Sequence, residues 1–419
     1  MSQWLDNVVA RGAEHLSELA PVRSASLAKL REQSWPTRRT EAWRYTSLHA
    51  IAESKLATDM APVNYTAPTV EGLNSIDLVA VNGALVTKIA DLNLPIGLEI
   101  DSLSTLVQSD ADAVNALMNA AKPEHHLFGL VNDVMSHEGW VIRVAAHTKL
   151  ETPIRIVNYT SEGVEAHFRV LVELGEGAEC TVIEHGEGTA TSINTVFSEY
   201  VVGDRAELEH YRFAMHGQQA IHVGGCHIKL GEASKLNSTV VGYGSELSRL
   251  DIDVIHSAEH AQAKLNAIYL LGVKEHFDLH TTIEHAKPNG TTEENARGIV
   301  GDKARATFNG RIHIHRDAQK TLAELNNRNL LLSRGGQINT KPELEIYADD
   351  VQCAHGATVA EISEQALYYL LSRGIPKARA LVMLNFGFIQ ELISHVPNKA
   401  LSNWLQPMLR ARFEEMGQI

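Results

Sequence analysis

The run Asp349-Asp350-Val351-Gln352-Cys353-Ala354-His355-Gly356 has the most chemically suggestive spacing in the chain. On a strand, residues two apart share a face, so Cys353 and His355 project together, and thiolate and imidazole can converge on one soft metal. Two ligands do not close a site, and the remaining coordination has to come from elsewhere. The competing reading is a buried cysteine beside a hydrogen-bonded histidine. His313-Ile314-His315 has the same spacing. There Ile312 and Ile314 are expected to face a core, leaving Arg311, His313 and His315 as an exposed polar strand face rather than a metal site. Cys180 and Cys226 lie 5 and 23 residues after the starts of their repeat units. They are not expected to stack into a common site and read as structural. The 21 histidines scatter along the chain, which suggests mostly surface or structural roles.

Three cysteines, with no C-x-x-C pair, exclude a disulfide framework and a cysteine-only zinc site within one chain. They also exclude an iron–sulfur site held by four thiolates of one chain. No phosphate-binding G-x-x-x-x-G-K-[ST] loop, H-E-x-x-H zinc motif or G-x-S-x-G elbow occurs. Carboxylates are abundant, but nothing pairs two of them for acid–base work. The chemistry reads as scaffold before catalyst. With 37 basic and 51 acidic residues the formal charge is −14, which argues against nucleic acid or anionic lipid as a partner. The densest apolar run, Ala380 to Ile389, is broken by Asn385 and Gly387, so no membrane span is expected. Met1-Ser2-Gln3-Trp4-Leu5-Asp6 lacks the basic and apolar regions of a secretory signal, and a soluble, cytoplasmic protein is expected.

The 419 residues suggest two or three domains at about 150 residues each. Trp4, Leu5, Val8, Val9, Leu16 and Leu19 recur at helical steps, and a second short helix is expected from Ser26 to Gln33, ended by Pro36. Asp77 to Val81 reads as a β-rich run before the turn dipeptide Asn82-Gly83. Residues 102–136 read as helical.

From about Gly139 the period becomes two. Val141–Val144, Ile154–Val157 and Phe168–Leu174 are strand candidates, and no helix is expected before residue 363. Within this region Gly175-Glu-Gly-Ala178 recurs as Gly203-Asp-Arg-Ala206, Gly231-Glu-Ala-Ser234, Ala258-Glu-His-Ala261 and Gly301-Asp-Lys-Ala304. The first three starts are 28 residues apart, the fourth follows after 27 and the last after 43. Lys287-Pro-Asn-Gly290, inside the long gap, reads as a loop insertion. A near-constant period of this size is the mark of stacked units, here a β-solenoid with a tight turn, a small inward residue and a strand in each. A β-sandwich is the alternative. A solenoid leaves end strands unpaired, so any edge not capped by terminal helices is a natural interface.

In the C-terminal part Ser363 is expected to cap a helix carrying Leu367, Leu370 and Leu371, which Gly374 stops. Pro376 then opens a second helix at its first position. Ala380, Leu381, Met383, Leu384, Phe386, Phe388, Ile389, Leu392 and Ile393 make it apolar on nearly every side, so it is either buried in its own domain or docked on a partner. Leu401, Trp404, Leu405, Met408, Leu409 and Phe413 mark a third helix, kinked by Pro407.

Lys341-Pro-Glu-Leu-Glu-Ile-Tyr-Ala-Asp-Asp-Val-Gln-Cys-Ala-His-Gly-Ala-Thr-Val359 resembles the C-terminal signature of the SufB/SufD family of iron–sulfur cluster assembly proteins. Gln365 to Ile375, Gly301 to Gly310 and Asn326 to Leu332 continue the likeness, which covers most of the chain. Two features resemble the SufD branch: Gly356, where SufB sequences usually carry Glu, and Pro36-Thr-Arg-Arg-Thr-Glu-Ala-Trp-Arg-Tyr-Thr-Ser-Leu48.

The resemblance implies a mainly β fold, a right-handed parallel β-helix flanked by N-terminal and C-terminal helical domains. The expected bounds are 1–136, 137–360 and 361–419. It further implies a non-catalytic scaffold that pairs with SufB through the β-helix, a homodimer being open to the isolated chain. The ATPase SufC would dock on the C-terminal helices, where Leu381, Leu384, Phe386, Phe388 and Ile389 are the expected contacts. No cofactor is expected to stay on this chain alone. A transient iron–sulfur cluster would form at the SufB interface, with His355 as the contributed ligand and Cys353 beside it. The rival readings are a SufB-like scaffold holding a cluster by itself and a β-helix enzyme acting on polysaccharide.

Overall fold

The computed structural model describes residues 2–14, 20–58, 63–118, 120–188 and 191–416. The expected apolar positions Leu16 and Leu19 lie outside them. From Ile76 to Glu361 the chain shuttles between two sheets, one of ten strands and one of nine. Strands adjacent within a sheet are two apart in sequence and pair in parallel, apart from Ile76–Val81, which pairs in parallel with Ile154–Thr160 four strands on, and the antiparallel pairs Ile76–Val81 with Ala84–Leu85 and Leu98–Ser102 with Gly139–Val144. This is the β-solenoid expected from the repeat.

The corners explain the period. Gly177, Arg205, Ala233, His260 and Asn289 all have left-handed backbones, with φ between 51° and 63°. Each donates its N–H to a carbonyl one rung on: Gly177 to Asp204 (2.8 Å), Arg205 to Glu232 (2.7 Å), Ala233 to Glu259 (2.9 Å), His260 to Pro288 (3.3 Å) and Asn289 to Gln319 (2.9 Å). The small residue that follows, Ala178, Ala206, Ser234 or Ala261, is fully buried. Lys287-Pro-Asn-Gly290 is therefore the fifth corner of this series and not an insertion. Gly301-Asp-Lys-Ala304 belongs to the opposite edge, where the chain leaves Thr291–Val300 of the ten-stranded sheet for Arg305–Ile314 of the nine-stranded one. Its left-handed residue is Asp302, one place earlier in the turn. The gap of 43 is one rung and one further strand.

Three layers bury the apolar residues. The solenoid interior holds Ile156, Val182, Leu208, Leu250, Leu279, Phe308, Leu325 and their neighbours. The outer face of the nine-stranded sheet presents Phe197, Val223 and Leu247 to the helices Gln3–Glu14, Ala20–Glu32 and Leu127–Met135. The second of these starts six residues before the expected Ser26, with Pro21 in its first turn, where a missing N–H costs nothing. The outer face of the ten-stranded sheet presents Ile183, Phe213, Val241, Ile268, Leu270 and Ile299 to Lys377–Asn385, Gly387–Ser394 and Lys399–Met416. Ser363 caps Glu364–Ser372 by accepting the Ala366 N–H at 3.2 Å, and Gly374 (φ 77°) follows its end. Pro376 is the residue before the next helix, Lys377–Asn385, rather than its first. The expected single apolar helix is interrupted at Phe386. Among the described residues no helix is long and apolar enough to cross a membrane.

Candidate functional site

Cys353 and His355 lie on Gln352–Glu361, the last strand of the ten-stranded sheet. Their register partners are Ala323 and Leu325, both fully buried in the solenoid interior. In a parallel stack side chains repeat their neighbours' direction, so thiol and imidazole occupy interior ladder positions at a rung with no strand beyond it. Cys353 is half-buried, and burial raises its thiol pKa against a smaller lowering by the Ala323 backbone. His355 is exposed, and its ring has no hydrogen-bond partner among the described residues. No third ligand joins them among the described residues. The neighbouring rim exposes Leu322, Ile346, Tyr347 and Val359.

His313 and His315 face outward as expected, over fully buried Ile312 and Ile314. Their polar partners are Glu345 for Arg311 and His313, and Glu284 for His315.

The five apolar residues expected at a docking surface do not share a face. Leu381, Phe386 and Ile389 are buried against the chain's own solenoid, Phe388 is half-buried, and only Leu384 is exposed. The exposed apolar side chains of this region are Tyr368, Tyr369, Leu371, Met383 and Leu384. Arg297 ties the buried face to a strand, donating to the Phe388 carbonyl (2.6 Å) and pairing with Glu391 (2.7 Å).

The histidines do not simply scatter. Among the described residues nine are buried: His167, His185, His210, His216, His222, His227, His256, His276 and His285. His210 belongs to a set that sequence reading missed, the buried trio Glu184, His210 and Cys226. Glu184 Oε1 lies 3.0 Å from His210 Nε2 and 3.5 Å from Cys226 Sγ. Arg212 pairs with the other carboxylate oxygen. Burial alone would raise the Glu184 carboxyl, but Arg212, His210 and Tyr200 together hold its pKa at about 2. Burial pushes the Cys226 thiol up to about 12, and the Cys180 thiol likewise. The 28-residue step could have shown Ser198 beneath Cys226 and His210 beneath Ser238. It carries no information about which residues of one sheet meet those of the other across the interior.

Two family models match the chain. One, described as the SufBD core domain of SUF-system iron–sulfur cluster assembly, covers residues 157–388, and one for the SufBD N-terminal region covers 7–156. The iron–sulfur cluster assembly protein SufD of Escherichia coli is 30% identical over 412 residues, spanning 96% of this chain and 94% of its own. An iron–sulfur cluster assembly SufBD family protein of Synechocystis is 27% identical over 398 residues, spanning 90% of this chain and 87% of its own. A chloroplastic protein of Arabidopsis thaliana, ABCI7, is 25% identical over 421 residues, spanning 96% and 87%. The likeness to these relatives runs along nearly the whole chain, and the chain belongs to the SufBD family of iron–sulfur cluster assembly proteins as a homologue of SufD.

Proposed function

We propose that this chain is the SufD-type scaffold of a SufB–SufC–SufD assembly, contributing His355 to a nascent-cluster site completed by SufB. The observation that carries the reading is the last rung. It holds two soft ligand side chains in interior register, beside an unpaired strand edge, with no third ligand from the same chain. A half-site of this kind is useless alone and suited to sharing, since soft metals and clusters take three or four such ligands. His355 needs no deprotonation beyond its neutral form to ligate. Cys353, with its thiol raised by burial, contributes only where a partner's charge or the metal itself stabilises the thiolate.

SufC would dock on the exposed set Tyr368, Tyr369, Leu371, Met383 and Leu384 of the 361–419 segment. The face bearing Leu381, Phe386 and Ile389 is already occupied by the chain's own core. With the ATPase on that partner, this chain acts as a non-catalytic scaffold.

The test is the iron and sulfide content of the anaerobically purified complex, wild type beside His355→Ala, with sizing of the same samples. Loss of most of the cluster from an intact complex is the expected result. Unchanged cluster content in an intact complex would leave this chain an architectural partner only.

A further inference from the structure

Solenoid interiors favour apolar side chains, because a polar group there has no water to bond. Where Glu179–Gly188, Ser192–Val202, Glu207–His216 and Ala220–Leu230 enclose the interior, Glu184, Ser198, Tyr200, His210, Arg212 and Cys226 all point inward and are nearly or wholly buried. Three atoms of different hardness converge there. Glu184 Oε1, His210 Nε2 and Cys226 Sγ form a triangle with sides of 3.0, 3.5 and 4.0 Å. Ligands about 2.0–2.3 Å from a tetrahedral ion lie roughly 3.3–3.7 Å from one another, so small side-chain adjustments would seat one.

Hydrogen bonding alone accounts for this centre poorly. Ser198 Oγ (2.8 Å), Tyr200 Oη (2.7 Å), His210 Nε2 (3.0 Å) and Cys226 Sγ (3.5 Å) all crowd the single oxygen Oε1, which has two lone pairs to offer. His210 Nδ1 already has a partner in Ser238 Oγ at 2.9 Å. In the tautomer that donates there, the Nε2 lone pair is free to ligate; in the other, Nε2–H donates to Glu184 Oε1. Each of the three also has the outer support that ligands need. Arg212 holds the far carboxylate oxygen, Ser238 fixes the imidazole, and Ser198 Oγ lies 3.2 Å from Cys226 Sγ.

The geometry points to a buried site for a single divalent transition-metal ion of borderline softness, iron(II) or zinc(II), held by Glu184, His210 and Cys226 with Tyr200 completing four-coordination. The donor set matches that class, since one thiolate, one imidazole and oxygen ligands suit neither calcium nor magnesium. The charges also balance. Carboxylate, thiolate and phenolate supply three negative charges against the ion's two positive charges and that of Arg212, as a site without water requires. With His210 wholly buried and Cys226 1% exposed, the ion would enter during folding, and its affinity would become part of the folding equilibrium. The site does not depend on the role assigned to His355, which lies at the far end of the same interior ladder.

The full chain, refolded anaerobically under reducing conditions with cobalt(II) as the probe, is expected to retain about one ion through gel filtration and to show a thiolate-to-cobalt charge-transfer band. Cys226→Ser should remove the band, and His210→Gln should lower retained cobalt by about tenfold or more. Cys180→Ser and Cys353→Ser should leave the band intact. X-ray absorption of the wild-type sample, with one sulfur in a shell of nitrogen and oxygen, reads the ligand set even if a variant fails to fold. A folded wild type that retains no cobalt would overturn the proposal. So would a band that survives Cys226→Ser, or one that vanishes with Cys353→Ser.

Discussion

His210 and His355 stand on the same interior ladder, which runs through His210, Ser238, Leu265, Glu294, Leu325 and His355. Five rung steps, about 24 Å at ordinary strand spacing, separate them. Cys180 and Cys353 share the neighbouring ladder through Leu208, Leu236, Ala263, Thr292 and Ala323. The same two residue types thus appear twice in the same orientation. In the middle rungs further strands lie on both sides, and both groups are buried, His210 bonded to Ser238 and Glu184. At the last rung nothing follows, and the same groups are open to a partner. The chemistry of a ladder position is decided by whether another rung covers it.

The largest difference should appear when one charge of a pair is removed. Arg212→Met leaves Glu184 charged and buried and is expected to cost about 3–5 kcal/mol, read as a fall in the denaturation midpoint of the metal-free chain. Arg311 pairs with Glu345 near the open end, at 38% and 35% side-chain exposure. Arg311→Met is expected to cost about 0–1 kcal/mol. Equal losses would erase the distinction between interior and rim.

The C-terminal helices offer the same contrast between the faces of one element. Leu381 is 2% exposed and Leu384 is 38% exposed. Leu381→Ala is expected to cost about 2–5 kcal/mol. Leu384→Asp should leave the midpoint within about 0.5 kcal/mol of wild type while reducing the SufC that co-purifies. A Leu384→Asp chain that keeps its full share of SufC would move the docking surface elsewhere.

A further contrast concerns acid. His256 and His285 stack in the interior with ring centres 4.1 Å apart and both lie close to Thr292 Oγ1. Burial lowers the pKa of His256 from 6.5 to about 4, and burial with the neighbouring His256 lowers that of His285 to about 2. Between those values and 6.5 the unfolded chain binds more protons than the folded one. Their contribution is therefore complete above 6.5 and declines as pH falls toward 4 and below. Denaturation midpoints measured from pH 7 to pH 4 should fall. The fall should be shallower in His256→Asn, which removes one of the two stacked rings.

The sequence alone disclosed the parts that repeat locally. Glycine, acid and a small residue at a 28-residue step announce a corner with a left-handed backbone. Period-two strands between them announce the sheets, and Ser363 and Gly374 bracket their helix. Reading failed where the same local signal served two places. Lys287-Pro-Asn-Gly290 carries proline where its sister turns carry an acid, and so looked foreign although its Asn289 takes the shared left-handed backbone. Gly301-Asp-Lys-Ala304 looked like kin but turns the opposite edge. The apolar stretch from Ala380 to Ile393 could be seen to need burial, and its two destinations could not be told apart.

Cys353 and His355 were legible because strand periodicity by itself puts them on one face. Glu184, His210 and Cys226 were not, because they come from two sheets and their convergence depends on how the sheets close across the interior. Residue order therefore determined the rung, its corner and the Cys-x-His pair, which are set by backbone conformation over a few residues. Only the tertiary structure decided which rung is last, which helix face is free and which buried polar groups meet. Those follow from packing between segments tens of residues apart, for which a single chain's local spacing holds no signal.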